Sequence, residues 1–120
     1  MAIQWNTTTI NPQDLIQISR GNNEIVYKYL QQFQELIPQR IVFLEKSLKA
    51  EDRKKVRQIL HQMSPQLQFF GIKDMMQALR RLELEYSTMP LEDLSSLVNT
   101  VVNKLNMAIK DVEIVLKENF

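Results

Sequence analysis

Residues 52–71 read DRKKVRQILHQMSPQLQFFG and carry an apolar side chain at every third or fourth position. This spacing places the apolar side chains on one stripe of an α-helix, because the helix completes a turn about every 3.6 residues. Gly71 can end the helix in a left-handed cap, a conformation that costs glycine little. We therefore expect an amphipathic helix over about 52–70, and its buried stripe consists of Val56, Leu60, Met63, Leu67 and Phe70.

Two helices are expected on the N-terminal side of this segment. The pair Asn11-Pro12 is a helix start, because Asn can cap free backbone N–H groups and Pro needs no donor at the first helical position. The short helix that follows ends near Gly21. A longer helix follows over about 22–48, with apolar residues at steps of three and four. Pro38 should kink this helix, since the proline ring clashes with a carbonyl of the preceding turn.

Two further helices are expected on the C-terminal side, over about 72–89 and 91–117. Four substantial amphipathic helices joined by short turns, without convincing strand alternation, indicate an all-α fold. We predict that residues 11–120 form an antiparallel four-helix bundle with a short extra N-terminal helix. Residues 1–10 are expected to be a loosely structured arm or the remnant of a linker.

The composition excludes several classes of chemistry. Without Cys the chain has no disulfide, thiol nucleophile, iron–sulfur cluster or Cys-based zinc site, and the absence is typical of a reducing cytoplasm. One His cannot form the two-His zinc motif, and Gly21 and Gly71 lie too far apart for a glycine-rich phosphate loop. The net charge is +1, and neither a signal peptide nor a long apolar segment is present. We therefore expect a soluble, cytoplasmic chain with no metal site, no bound nucleic acid and no membrane insertion.

A polar stripe that contains the single His runs beside the apolar stripe of the third helix. A lone His on a helix is commonly an ordinary surface residue, and cations near it are commonly a solvated face. Their combination is more informative, because a neutral imidazole is a nucleophile and nearby cations and hydroxyl groups could hold a phosphoryl group on its ring nitrogen. The stripe consists, at steps of three and four, of Lys54, Arg57, His61, Ser64 and Gln68.

Three segments of the chain fit one known pattern. The first reads ISRGNNE at 18–24 and continues with YLQQF at 29–33, a polar turn that leads into a helix. The second reads LHQMSPQLQFFG at 60–71 and has a His, an aliphatic residue two positions later and a Gly ten positions later. The third is Arg-Leu-Glu at 81–83. With these segments the chain from Leu15 onward resembles a histidine phosphotransfer (HPt) domain, the carrier of phosphorelay signalling.

The chain departs from the HPt pattern at two positions after the His. The family usually has Lys and then Gly three and four residues after it, where this chain has Ser64 and Pro65. The Lys usually places a cation near the phosphoryl group, and Arg57 is our candidate substitute. We accordingly expect Arg57→Ala to weaken transfer more than Arg80→Ala, because only Arg57 shares the stripe of His61. Pro65 should perturb the helix at the carbonyl of His61.

The resemblance implies a phosphotransfer carrier rather than a true enzyme. Neutral His61 would accept a phosphoryl group from an aspartate of a response-regulator receiver domain and pass it to another receiver aspartate. Partners would be such receivers and a histidine kinase or hybrid sensor kinase. Mg²⁺ is expected only in the receiver, and no cofactor is expected in this chain. Residues expected to contact the phosphoryl group or the partner are Lys54, Arg57, Ser64, Pro65 and Gln68.

Three other functions are to be considered: binding without phosphorylation, nucleic-acid binding and acid–base catalysis. Because Ser64 and Pro65 replace the usual pair, a helical adaptor that binds a receiver or a kinase without accepting phosphate stays open. The basic run at 53–57 could contact nucleic acid, but two acidic residues precede it and the net charge is near zero. Glu83 and Glu85 should face different sides of their helix, which argues against an acid–base pair.

Overall fold

The computed structural model describes residues 2–72 and 75–120 of the chain. These residues form five α-helices and no β-strand, which confirms the all-helical prediction. None of the five has both the length and the apolar character that crossing a membrane requires. Residues 73 and 74 of the predicted fourth helix, and Met1 of the predicted arm, lie outside the described residues. The helices are α1 (Gln13–Ser19), α2 (Asn23–Lys49), α3 (Arg53–Phe69), α4 (Met75–Glu85) and α5 (Leu91–Asn119).

Polar side chains cap the starts of α2 and α3. Asn22 accepts a hydrogen bond from the backbone N–H of Glu24 at 2.9 Å, at the start of α2. Asp52 accepts one from the backbone N–H of Lys55 at 3.0 Å, at the start of α3. Each cap satisfies a donor that the first helical turn leaves without a partner. These short-range signals explain why the sequence locates both helix starts well.

Prolines lie inside two of the helices without ending them. Pro38 lies within α2 and Pro65 within α3, and both helices continue past the proline. Proline has no N–H, so each leaves the carbonyl four residues earlier without its helical partner. In α3 that carbonyl belongs to His61. The kinks expected at these prolines stay predictions.

One apolar core lies between the long helices. α2 packs against α3 and α5, and α4 packs against the same two helices, so the four form a closed ring. α1 covers one part of this ring by packing against α2 and α3. The ring of Phe33 on α2 meets that of Phe70, at the end of α3, with centroids 4.4 Å apart. The arrangement is a helical bundle, and the apolar stripe expected for α3 is buried in it. The antiparallel order of the helices stays a prediction.

The N-terminal segment is fixed to α5, although we expected a loose arm. One oxygen of the buried Asp111 carboxylate accepts hydrogen bonds from the backbone N–H groups of Thr8, Thr9 and Ile10 at 3.2, 2.7 and 3.0 Å. The side chain of Ile10 is buried in the core. Because these contacts join residues about a hundred positions apart, no local sequence pattern could reveal them. The domain boundary between residues 10 and 11 stays a prediction.

Candidate functional site

His61 lies on the outer face of α3, and 67 % of its side chain is exposed. Its neighbours Leu60 and Met63 are buried in the core. The imidazole is therefore accessible from outside while the helix that carries it is anchored by its apolar face. This is the placement that the spacing of polar and apolar residues indicated.

A carboxylate on the neighbouring helix α4 holds the imidazole. Nδ1 of His61 lies 2.8 Å from Oε1 of Glu83. The other oxygen of the same carboxylate, Oε2, accepts a hydrogen bond from Nε of Arg57 at 2.9 Å. We call these three side chains the Arg57–Glu83–His61 network. Since two of its members lie on α3 and one on α4, the network depends on the packing of these two helices.

The charge of Glu83 determines which ring nitrogen of His61 carries the proton and which one has the lone pair. Partial burial acts to raise the pKa of Glu83, but the hydrogen bonds from His61 and Arg57, together with the charges of these partners, hold it below its ordinary value of 4.5. Glu83 is therefore ionised near neutral pH and can only accept hydrogen bonds. Nδ1 of His61 must then carry the proton, so the lone pair of the neutral ring lies on Nε2.

Basic residues near the start of α3 contact the segment that follows α4. Arg53 donates hydrogen bonds to the backbone carbonyls of Tyr86, at 3.0 Å, and Met89. The guanidinium carbon of Arg57 lies 5.6 Å from the centre of the Tyr86 ring, within the range of a cation–π contact. Two cations of the basic run at 53–57 are thus used to join α3 to α4. These contacts give a structural reason for the positive charge of the segment at 53–57.

A groove of about 530 Å³ lies between α3 and α4, beside His61. The surface of its walls is mainly apolar in area, and polar side chains make up half of the described residues that line it. Leu84, at 77 %, is the most exposed large apolar residue that the structure describes, and Met76, at 50 %, lines the same groove. The groove therefore combines an accessible imidazole with an apolar contact surface. The lining residues that matter below are His61, Ser64, Met76, Arg80, Glu83 and Leu84.

The structure separates the residues that sequence spacing grouped into one site. His61 and Ser64 line the groove together, whereas Arg57 reaches His61 only through Glu83. Lys54 and Pro65 are exposed and do not line this groove. Gln68 lies beside α1, in a separate depression that Asp14 and Gln17 also line. The roles predicted for these side chains stay predictions.

Two residues on α4 were not among the site residues that the sequence predicted. Glu83 contacts His61 directly, and Arg80 lines the same groove. Arg-Leu-Glu at 81–83 was a signal, since it contributed to the family resemblance, but it did not indicate what Glu83 contacts. Among the described residues, no group of three or more His, Asp or Glu side chains could hold a metal ion.

Comparison with known protein families gives a match over most of the chain. The family model of the Hpt domain matches residues 28–113, a segment that includes the groove and the whole Arg57–Glu83–His61 network. Neither a search of curated proteins nor a search of solved structures gives a significant match.

Proposed function

Because this chain belongs to the Hpt-domain family and is thereby involved in phosphorelay signalling, we propose that His61 is its phosphoryl acceptor. The donor is an aspartyl phosphate of a receiver domain, and a second receiver aspartate takes the group onward. The observation that carries this proposal is the state of His61. Its ring is exposed, and an ionised carboxylate fixes the proton on Nδ1, which leaves Nε2 as the nucleophile.

The proposed step needs no proton transfer. The Nε2 lone pair attacks phosphorus, a nitrogen–phosphorus bond forms, and the phosphorus–oxygen bond to the aspartate breaks. The bonding electrons leave with the aspartate, which becomes a free carboxylate. The ring keeps its proton on Nδ1 and gains positive charge, which Glu83 stabilises at 2.8 Å. The same events in reverse deliver the phosphoryl group to the second receiver.

The contributions of the receiver and of this chain follow from the chemistry of phosphoryl transfer. Such a transfer depends mainly on positioning and on neutralising charge. We propose that the receiver contributes Mg²⁺ and most of the neutralising charge, while this chain contributes the oriented imidazole. The exposed Met76 and Leu84 beside His61 provide an apolar surface on which a receiver can dock. The absence of Cys fits a reducing compartment, and we place the reaction in the cytoplasm.

The replacement of the usual Lys and Gly by Ser64 and Pro65 supports a second candidate function. A helical adaptor would use the same groove to bind a receiver or a kinase, and His61 would not be phosphorylated. Ser64 lines the groove and can donate a hydrogen bond, but it brings no charge to a phosphoryl group. The orientation of His61 by Glu83 favours the carrier, because a pure adaptor has no need to fix the proton of an imidazole.

Incubation with phosphorylated receivers separates the two functions. The chain and its His61→Gln variant would be mixed, with Mg²⁺, with each receiver domain encoded in the same genome after the receiver has been phosphorylated. We expect acid-labile, alkali-stable label on the unmodified chain and none on the variant, while circular dichroism shows that both are equally helical. Receiver binding that is equal in both proteins, without label on either, would establish the adaptor and reject the carrier.

A further inference from the structure

We infer that Arg80 is the cation that contacts the phosphoryl group on His61, a role that sequence spacing assigned to Arg57. The inference rests on the proposed function, since it assumes that His61 is phosphorylated. It identifies the residue that supplies the positive charge usually provided by Lys at the position of Ser64. The supporting observations are the contacts that Arg57 already makes and the position of Arg80 in the groove.

Arg57 is already engaged on the Nδ1 side of the imidazole. Its Nε donates to Glu83 at 2.9 Å, and its guanidinium lies over the ring of Tyr86. Arg57 does not line the groove beside His61. The phosphoryl group forms its bond at Nε2, whereas Arg57 is linked to Nδ1 through the carboxylate. Arg57 therefore supports the orientation of the ring rather than the charge of the phosphoryl group.

Arg80 lies where that charge is needed. It lines the groove from α4, together with His61 and Ser64 of α3. It precedes Glu83 by three residues, so both side chains leave the same face of α4. Its side chain is exposed, and it makes no hydrogen bond or ion pair with any part of the chain that the structure describes. A guanidinium that lines the groove is suited to phosphoryl oxygens, because its fork of donors can bind two of them at once.

The neighbouring arginine provides a matched comparison. Arg81 pairs with Glu85 within α4 and with Asp93 of α5, each at 3.4 Å. It does not line the groove. Arg80 and Arg81 thus have the same chemistry and adjacent positions on one helix, but only Arg80 is available to His61. Substituting each in turn separates a local effect at the groove from the loss of one positive charge.

The test uses phosphoramidate, a small phosphoryl donor that needs no docking surface. Nε2 attacks phosphorus, the phosphorus–nitrogen bond of the donor breaks, and the donor nitrogen, protonated in solution, leaves as ammonia. Intact-mass spectrometry would follow the initial rate of labelling and the half-life of the phosphohistidine. The set comprises the unmodified chain and the variants Arg80→Ala, Arg80→Lys, Arg81→Ala, Arg57→Ala and His61→Gln.

We expect Arg80→Ala to lower the labelling rate by roughly fivefold to tenfold, the scale of one lost charge-assisted hydrogen bond at an exposed site. Arg80→Lys should restore most of the rate, and Arg81→Ala should stay within about twofold of the unmodified chain. The defect of Arg80→Ala should shrink near 1 M salt, because salt screens exposed charges. A defect in folding would not respond to salt in this way.

Other results would overturn the inference. Equal rates for Arg80→Ala and Arg81→Ala, with His61 labelled normally, reject Arg80 and leave the proposed function standing. A defect in Arg57→Ala that shrinks near 1 M salt, together with a normal rate in Arg80→Ala, restores the assignment that came from spacing. If the unmodified chain takes no label from phosphoramidate or from any receiver, both the proposed function and the inference fail.

Discussion

The carboxylate of Glu83 joins two side chains of α3, His61 and Arg57, through its two oxygens at 2.8 and 2.9 Å. A carboxylate in this position does more than orient the ring. It carries negative charge next to the ring, which becomes positive during attack. Because an ionised carboxylate can only accept hydrogen bonds, it also fixes the reactive tautomer. The hydrogen bond and the charge of Arg57 in turn help to hold the pKa of Glu83 below its ordinary value. Under the proposed function, each residue of the Arg57–Glu83–His61 network prepares its neighbour for phosphorylation at Nε2.

Glu83→Gln tests this role by keeping the shape of the side chain and removing its charge. An amide can also donate to Nδ1, which would favour the tautomer with its proton on Nε2 and so block the nucleophile. We expect phosphoramidate to label the variant roughly threefold to tenfold more slowly. Glu85→Gln, two residues later and paired with Arg81 instead, should label at the normal rate. Equal rates for both variants would show that the charge of Glu83 is not used.

The same substitution has a consequence for stability that depends on pH. The pKa of Glu83 is depressed in the folded chain, so its pairing stabilises the fold above the ordinary value of 4.5 and is lost as the pH falls through the folded pKa. The difference in free energy of unfolding between the unmodified chain and Glu83→Gln should therefore be present at neutral pH. It should shrink below about pH 4.5. A difference that is constant with pH in urea unfolding would contradict the ion pairing.

At this scale the sequence indicated the residue that we propose as nucleophile, but not the carboxylate that contacts it. His61 is the only candidate of its type, and its helical periodicity was sufficient to place it beside the core. Glu83 follows it by 22 positions, on another helix. Local spacing describes one helix at a time, so it grouped Arg57 with the imidazole and could not assign either Glu83 or Arg80 to it. Contacts between helices are determined by their packing, which a periodic pattern leaves open.

At the scale of elements, the end of α3 is fixed by a close approach of backbone. Gly71 has a φ of +53°, in the left-handed region, as the sequence led us to expect for the end of this helix. A Cβ at Gly71 would lie 2.8 Å from the carbonyl oxygen of Asn11 and 2.9 Å from its Cβ. The backbone N–H of Asn11 also donates to the carbonyl of Phe70 at 2.9 Å. Gly71 therefore serves both as a helix cap and as the contact point for the segment that leads into α1.

Gly71→Ala should be clearly more destabilising than Gly21→Ala. Both glycines have positive φ, but a Cβ at Gly21 would meet nothing within 4 Å. Gly21→Ala should therefore cost only the left-handed strain, about 1 kcal/mol. Gly71→Ala adds a clash with backbone, and we expect roughly 2–4 kcal/mol in all. Urea unfolding monitored by circular dichroism measures both, and equal losses would mean that the Asn11 segment can move aside at little cost.

The starts of α2 and α3 were predictable, whereas the course of the N-terminal segment was not, and α4 ends at Glu85 rather than near residue 89 as expected. Caps such as Asn22 and Asp52 are read from a few adjacent residues, and α2 and α3 begin within one residue of the expected positions. The segment before α1 lacks periodicity and looked loose for that reason. It is held instead by the buried Asp111 carboxylate, which accepts three backbone N–H groups. That contact belongs to the tertiary structure.

At the scale of the whole molecule, the apolar core and the candidate site occupy different parts of the bundle. The closed ring of α2, α3, α4 and α5 buries the apolar faces of all four helices, and Asp111 ties the N-terminal segment to α5. The groove lies on the outside, along the contact of α3 with α4. Substitutions on its exposed rim should consequently change the interaction with a partner without unfolding the chain.

Leu84→Gln tests whether this rim is the docking surface for a receiver. Leu84 is 77 % exposed, so the variant should unfold at the same urea concentration as the unmodified chain. Loss of an apolar contact at an interface should slow phosphoryl transfer from a receiver by about tenfold. Phosphoramidate needs no docking surface, so its labelling of His61 should be retained. Val42→Gln, at a residue of α2 that is 53 % exposed, should leave both reactions unchanged.

The comparison of the two donors gives each outcome a distinct meaning. A loss with the receiver alone assigns the rim of the groove to docking. Equal losses with both donors would show that Leu84 acts on His61 itself, and the docking surface would then have to lie elsewhere. Normal transfer from the receiver in Leu84→Gln, together with a loss in Val42→Gln, would move the interface from the α3–α4 groove to the exposed face of α2. Because His61 lies on the outer face of α3, that last result would also require a receiver to approach it from the side of α2.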